Sequence, residues 1–173
     1  MPTQTITLIP KTLYFFIPAG IANMAPVIFR NINFLNYSIN EKLFGSHKTY
    51  RGIFFGIILA IFATFLQFLL TNFNFSLINY TTSNFILIGF LLGFGAMLGD
   101  LVKSFFKRRL SIKPGNSFIP FDQLDWIIGA IIFTFPLINY SILQILFLLI
   151  VYGLLHPLIN LMGYVLKIKK NRF

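Results

Sequence analysis

Residues 85–102 read FILIGFLLGFGAMLGDLV, an almost unbroken apolar run that ends beside charged residues. A helix needs about 20 predominantly apolar residues to cross the hydrocarbon core of a bilayer. Because the run is continuously apolar and lacks the alternation of a barrel strand, it predicts a membrane-spanning helix. Its glycines, paired at spacings of four (Gly89 with Gly93, Gly95 with Gly99), predict that other helices approach closely.

The rest of the chain has the same character. Hydrophobic residues make up 57% of it and charged residues only 10%, against about a quarter charged in soluble proteins. We therefore predict an all-α, polytopic membrane protein with five transmembrane helices, folded as a single domain over residues 1–173. The predicted spans are about 13–29, 53–70, 85–102, 124–137 and 142–166, and the two basic loops between them are 30–52 and 103–123.

The distribution of lysine and arginine predicts the orientation. All fourteen except Lys11 lie in loop 30–52, in loop 103–123 or in the tail that follows residue 166. By the positive-inside rule these segments are cytoplasmic, so the N-terminus is outside, the C-terminus is cytoplasmic, and the protein is a multi-pass protein of the cell membrane. The rule also accounts for the net charge of +10 without a nucleic-acid partner. Because the chain has no cysteine, disulfides and thiolate sites are excluded.

The first predicted span carries helix-interrupting residues. Pro18, Gly20 and Pro26 lie within it. In a membrane helix such residues indicate a kink or break that faces protein or a cavity. His156 precedes Pro157 in the last predicted span, and we interpret this pair in the same way, as a kink with a hydrogen-bonded imidazole.

Three of the four acidic residues, Asp100, Asp122 and Asp125, flank the central loop. Asp122 and Asp125 are spaced so that both point to one side of a first helical turn, from which a cation could join them to Asp100. Oxygen ligands without thiolates favour Mg²⁺. The alternative is structural: Asp122 as the N-cap of the fourth span, Asp125 favoured by the helix dipole, and Asp100 paired with Lys103. Capping does not explain why acidic residues are missing from the other helix ends, so we favour the metal site.

A basic segment lies between these carboxylates. Lys107, Arg108 and Arg109 are typical of positive-inside residues that touch anionic headgroups. Beside a bound Mg²⁺ they become candidates for holding a triphosphate and neutralising a departing pyrophosphate. His47 lies among bases in the first loop, and we interpret it as a structural or phosphate-positioning residue.

Three ordered motifs carry a family resemblance: GSHKTYRG at 45–52, GDLVKSFFKRR at 99–109 and PFDQLD at 120–125. With these motifs, its length and its five-span layout, the sequence resembles the CDP-archaeol synthases, archaeal membrane cytidylyltransferases related to bacterial phosphatidate cytidylyltransferases. Asp122 and Asp125 match an Asp-x-x-Asp pair that the bacterial enzymes share. The bacterial Lys-Asp pair and His-Gly-Gly run are replaced here by residues 113–116 and 117–120, which favours the archaeal type.

The resemblance implies that CTP reacts with an isoprenoid ether lipid phosphate, unsaturated archaeol phosphate, to give CDP-archaeol and pyrophosphate with Mg²⁺ as cofactor. A lipid phosphate is already ionised at neutral pH, so the reaction needs a metal and cations rather than a strong base. The catalytic residues that it implies are Asp100, Asp122 and Asp125, which hold the metal, and Lys103. The implied substrate-binding residues are Lys48, Thr49, Arg51, Ser104, Lys107, Arg108, Arg109, Lys113 and Asn116.

Two alternatives stay open at this point. A diacyl phosphatidate cytidylyltransferase would use the same chemistry on another lipid, and composition does not distinguish the two. A non-catalytic protein that binds anionic membrane lipids would use the same basic face. Such a protein has no need of three clustered carboxylates, which repel phosphate unless a cation intervenes.

Overall fold

The structure is a computed structural model that describes residues 2–73, 75, 77–80, 82–113 and 116–165, without the side chains of residues 2–7, 160 and 163. The helices are α1 (Pro2–Ile28), α2 (Glu41–Phe44), α3 (Tyr50–Leu69), α4 (Phe85–Arg109), α5 (Phe121–Thr134) and α6 (Ile142–Val165), and a 3₁₀ turn covers Thr71–Phe73. The predicted all-α class is confirmed for these residues. The predicted basic tail, and Pro114 and Gly115 of the central loop, lie outside the described part.

Three of the described helices have the length and composition to cross a membrane. They are α3, α4 and the segment Ile142–Ile159 of α6. The five long helices α1, α3, α4, α5 and α6 each overlap one predicted span. The count of five spans and the orientation of the termini stay predictions.

Two helix boundaries differ from the prediction in ways that matter. Helix α1 begins at Pro2 instead of residue 13, and α4 continues to Arg109 instead of ending at residue 102. Basic residues fill the last turn of α4, where their charge interacts favourably with the helix dipole. The bases from Lys103 to Arg109, which we placed in a loop, therefore project from a helix.

Helix α4 is at the centre of the bundle, where it packs against α1, α3 and α5. A Cβ atom at Gly93 would lie 3.0 Å from the Cα of Ile57 in α3, and one at Gly95 would lie 2.7 Å from the carbonyl oxygen of Gly129 in α5. The predicted close approach at the α4 glycines is confirmed. The backbones of α4 and α5 touch, which brings the polar ends of both helices together.

Helix α1 continues through Pro18 without breaking. Because Pro18 has no N–H, the carbonyl of Tyr14 loses its usual partner within the helix. Gln67 of α3 donates from Nε2 to this carbonyl at 2.6 Å, and the hydroxyl of Tyr80 donates to Oε1 of Gln67 at 2.7 Å. Tyr152 of α6 donates to the neighbouring carbonyl of Leu13 at 2.6 Å. Side chains of α3 and α6 thus donate to the backbone where α1 contains proline, and Tyr80 holds Gln67 in position.

Replacing Gln67 with leucine tests this arrangement. The variant removes the side-chain donor to the Tyr14 carbonyl and the acceptor of the Tyr80 hydroxyl bond, so we expect the free energy of unfolding to fall by about 2 kcal/mol. Thermal unfolding in detergent measures the loss. The matched control is Tyr37→Phe, which removes a hydroxyl from a side chain that is 73% exposed. Equal unfolding temperatures for Gln67→Leu and the control would contradict this interpretation.

Candidate active site

The three predicted carboxylates meet around one lysine. Lys103 extends from α4, and its Nζ lies 3.0 Å from Oδ1 of Asp100, 3.0 Å from Oδ1 of Asp122 and 2.9 Å from Oδ2 of Asp125. Asp100 is one turn before Lys103 on α4, while Asp122 and Asp125 belong to the first turns of α5. The sequence therefore predicted the meeting of the carboxylates, and the structure places an ammonium group at its centre.

Two further lysines border this group. Lys48, from the loop before α3, forms an ion pair with Asp100. Lys107 lies 3.1 Å from both carboxylate oxygens of Asp122 and also donates to the backbone carbonyl of Asn116. We call these three lysines and three aspartates, whose formal charges cancel, the lysine–aspartate cluster.

The cluster is largely shielded from solvent. The side chains of Lys103 and Asp125 are 13% and 5% exposed. Oδ1 of Asp125 is buried without a hydrogen-bond partner in the described structure. Because a buried, unpaired carboxylate oxygen is costly, this atom is available to a ligand that brings a positive charge or a donor.

Asp122 precedes the predicted fourth span and is not the N-cap of α5. The cap position belongs to Pro120, which makes no side-chain capping bond. The Asp122 carboxylate instead accepts from the backbone N–H of Phe118. Burial acts to raise the pKa of Asp122, but the charge of Lys103 and the hydrogen bonds from Phe118 and the lysines outweigh it and hold this pKa below its usual value. Asp122 is therefore ionised at neutral pH.

A cavity of about 710 Å³ adjoins the cluster. Lys48, Asp100, Lys103, Lys107 and Asp122 line its polar part. Its apolar part is lined from α1 and α6 by Ile17, Ile21, Leu155 and Ile159 among others. Charged side chains line one part of this cavity and aliphatic side chains line another, so the cavity suits an amphiphile with an anionic head group.

Several residues that line the cavity were not predicted as site residues from the sequence. They are Asn23 of α1, Gln123 and Trp126 of α5, and Tyr152 of α6. Gln123 lies within the PFDQLD motif and Trp126 directly follows it, but no motif distinguishes Asn23 or Tyr152. The prolines and glycine of α1 were the useful signal, since Gly20 and Pro26 do face the cavity, as predicted. His156 also lines it, and α6 continues through Pro157.

Three predicted phosphate ligands make internal contacts instead and are not among the described lining residues of the cavity. Arg51 is buried and donates to the carbonyl of Ile32. Thr49 caps α3 by accepting from the N–H of Gly52 at 3.2 Å, and Ser104 donates to the carbonyl of Asp100 at 2.7 Å. These contacts fix the loop that carries Lys48 and the helical turn that carries Asp100. Their direct roles in phosphate binding stay predictions.

The remaining predicted ligands differ in their surroundings. The guanidinium carbon of Arg109 is 5.1 Å from the ring centroid of Phe105. The side chain of Arg108 packs near Gly45, and that of Lys113 is exposed. Asn116 lines the cavity and His47 borders a small pocket beside Asp100. The cations nearest the carboxylates are thus the three lysines of the cluster.

The helices and this site define an integral membrane protein with a partly polar, partly apolar cavity beside a cluster of charged side chains. A family model described as CarS-like CDP-archaeol synthase matches residues 5–173. A CDP-archaeol synthase of Methanococcus maripaludis strain C7 is 34% identical over 95% of this chain and 97% of its own length, and one of Thermococcus onnurineus is 36% identical over 87% and 89%. The chain belongs to the CDP-archaeol synthase family.

A solved structure, described as that of an intramembrane enzyme for archaeal membrane lipid biosynthesis, has the same fold. The TM-score is 0.74, the sequence identity is 25%, and the match covers 88% of this chain and 94% of the other. The resemblance drawn from the three motifs is therefore confirmed over nearly the whole chain.

Proposed function

We propose that this protein transfers CMP from CTP to an isoprenoid ether lipid phosphate, giving CDP-archaeol and pyrophosphate. Membership of the family supports an enzyme that produces CDP-archaeol in archaeal lipid biosynthesis. The structural observation that carries the proposal is the convergence of Lys48, Lys103 and Lys107 on the polar part of a cavity whose other walls are apolar. One such space can hold the phosphates of both substrates and the start of the lipid tails.

The chemistry needs few groups. An oxygen of the lipid phosphate attacks the α-phosphorus of CTP, a new P–O bond forms, and the bond from this phosphorus to the bridging β-oxygen breaks. Pyrophosphate leaves with the electron pair. Since the attacking phosphate is already ionised, no strong base is required, and the lysines bring two anions together and neutralise the leaving group.

We propose Mg²⁺ as the cofactor, held by Asp100, Asp122 and Asp125. In the described residues no group of three or more histidine or acidic side chains is arranged to hold a metal. The Nζ atom of Lys103 lies among the three carboxylates. The donor chemistry nevertheless suits Mg²⁺: all three are hard oxygen ligands, and Oδ1 of Asp125 has no hydrogen-bond partner among the described residues. When bound, Mg²⁺ supplies charge neutralisation on the triphosphate.

We further propose that α1, α3, α4, α5 and α6 all cross the membrane, with the N-terminus outside and the C-terminus cytoplasmic. The distribution of the bases supports this orientation: all but Lys11 lie in segments 30–52 and 103–123 or after residue 166, which the positive-inside rule makes cytoplasmic. CTP then reaches the cluster from the cytoplasm, and the lipid reaches the cavity from the bilayer.

Pyrophosphate release by the detergent-purified protein tests the function. The protein receives CTP and Mg²⁺ with either geranylgeranyl-ether glycerol phosphate or diacyl glycerol phosphate. Release with the ether lipid is expected. Release with the diacyl lipid alone would favour phosphatidate as the substrate, and no release with either lipid from folded protein would leave the non-catalytic lipid-binding protein as the explanation.

A further inference from the structure

We propose that Lys103 is a placeholder cation: it occupies the meeting point of the three carboxylates until CTP draws it away, so that the divalent metal and the nucleotide bind together. This inference rests on the proposed function, since it takes the three carboxylates to be the metal ligands. It concerns the order in which charges enter the site.

The geometry is the first support. One oxygen from each of three carboxylates lies 2.9–3.0 Å from a single nitrogen atom, Nζ of Lys103. The three carboxylates come from two different helices, so this convergence depends on the ammonium at the centre. Mg²⁺ requires oxygen ligands at about 2.1 Å and cannot share that point with an ammonium group.

The charge of the cluster is the second support. Asp100, Asp122 and Asp125 are balanced by Lys48, Lys103 and Lys107. A free divalent ion therefore meets no net negative charge and has to displace a shielded ion pair before it can bind. Breaking such a pair without compensation is strongly unfavourable.

CTP changes this balance. Lys103 lines the cavity as well as the cluster, and its flexible stem lets the ammonium turn from the carboxylates to an anion in that space. Once a phosphate pairs with Lys103, the carboxylates carry uncompensated negative charge and the metal is attracted. By linkage, each ligand then raises the affinity of the other by the same factor, on the order of ten- to a hundredfold.

Metal binding in the absence of lipid tests the inference without relying on activity. Protein-bound Mn²⁺ is measured by electron paramagnetic resonance, and the unfolding temperature is followed as Mg²⁺ is added, both in detergent. The variant is Lys103→Gln, and the control is Lys42→Gln, which loses the same charge from an exposed residue of α2. We expect Lys103→Gln to bind Mn²⁺ at least about tenfold more tightly than wild type and to be stabilised by Mg²⁺. Wild type and Lys42→Gln should respond to neither ion.

Wild-type protein that binds Mn²⁺ without nucleotide as tightly as Lys103→Gln would overturn the inference. So would a folded Lys103→Gln variant that ignores the metal. If the variant does not fold, Mn²⁺ binding to wild-type protein is measured with and without a non-hydrolysable CTP analogue. Binding that requires the analogue supports the placeholder role of Lys103. Binding without the analogue, or no binding in either case, overturns that role. Pyrophosphate release distinguishes failure of this inference from failure of the proposed function. An enzyme that releases pyrophosphate but binds the metal without nucleotide contradicts only the placeholder role of Lys103.

Discussion

Lys103→Gln is expected to lower the rate of CDP-lipid formation about a thousandfold. Lys103 contacts all three carboxylates and lines the cavity, so no other cation of the cluster reaches the same set of groups. Glutamine is similar in length but carries no charge, and it leaves the charge on the transferring phosphates without its central partner. The rate is measured as label transferred from α-labelled CTP to lipid at saturating substrates.

The control for this prediction is again Lys42→Gln, whose rate should equal that of wild type. Unfolding temperatures recorded beside the rates separate loss of chemistry from loss of structure, and the assay contains Mg²⁺ because three carboxylates without Lys103 repel one another. A folded Lys103→Gln protein with a rate within a few fold of wild type would show that Lys103 is not a catalytic residue.

Gly99→Ala is expected to disrupt both stability and activity. A Cβ atom at Gly99 would overlap the backbone carbonyl of Asp125 and lie 3.3 Å from the Cα of Gly129. Backbone cannot rotate away as a side chain can, so α4 and α5 must separate. We expect the free energy of unfolding to fall by about 3 kcal/mol, the upper part of the range for overpacked sites. Separation of the helices also moves Asp125 away from Lys103, so the rate should fall.

The matched control is Gly153→Ala in α6, where, among the described residues, an added Cβ would meet the end of the Leu124 side chain, at 3.0 Å. That side chain can adjust, so the control should remain close to wild type in unfolding temperature and rate. Gly99→Ala with wild-type values for both would contradict the close contact of α4 and α5 at the site.

The sequence predicted the helical class, the approximate positions of the long helices and the meeting of the three aspartates. Each of these rests on a strong local signal: a long apolar run, paired glycines, or carboxylates that are otherwise rare in the chain. The family resemblance was confirmed because three motifs occur in order. The metal and the individual substrate contacts stay predictions.

The central position of Lys103 could not be predicted. Its pairing with Asp100 follows from their spacing on one helix, but its contacts with Asp122 and Asp125 depend on how α4 and α5 pack. Likewise, no local sequence pattern indicates that Gln67 donates to the Tyr14 carbonyl of α1 or that Arg51 donates to the carbonyl of Ile32. These are contacts between distant parts of the chain.

The end of α4 was misplaced for another reason. Hydropathy falls after Val102, and we took that fall as the end of the helix. Backbone hydrogen bonding does not stop where apolar side chains stop, and lysine and arginine favour the helical state. The helix therefore continues to Arg109 and carries Lys103 and Lys107 to defined positions.

The most direct test of the central claim, that the lysine–aspartate cluster is the reaction site, compares three single variants in one assay. Asp100→Asn, Asp122→Asn and Asp125→Asn are purified in detergent beside wild type and Lys42→Gln, and each receives α-labelled CTP, Mg²⁺ and the ether lipid phosphate. We predict label in the lipid for wild type and Lys42→Gln, and at least about a hundredfold less for each folded aspartate variant. Wild-type transfer by all three aspartate variants would contradict the claim and place the reaction elsewhere in the protein.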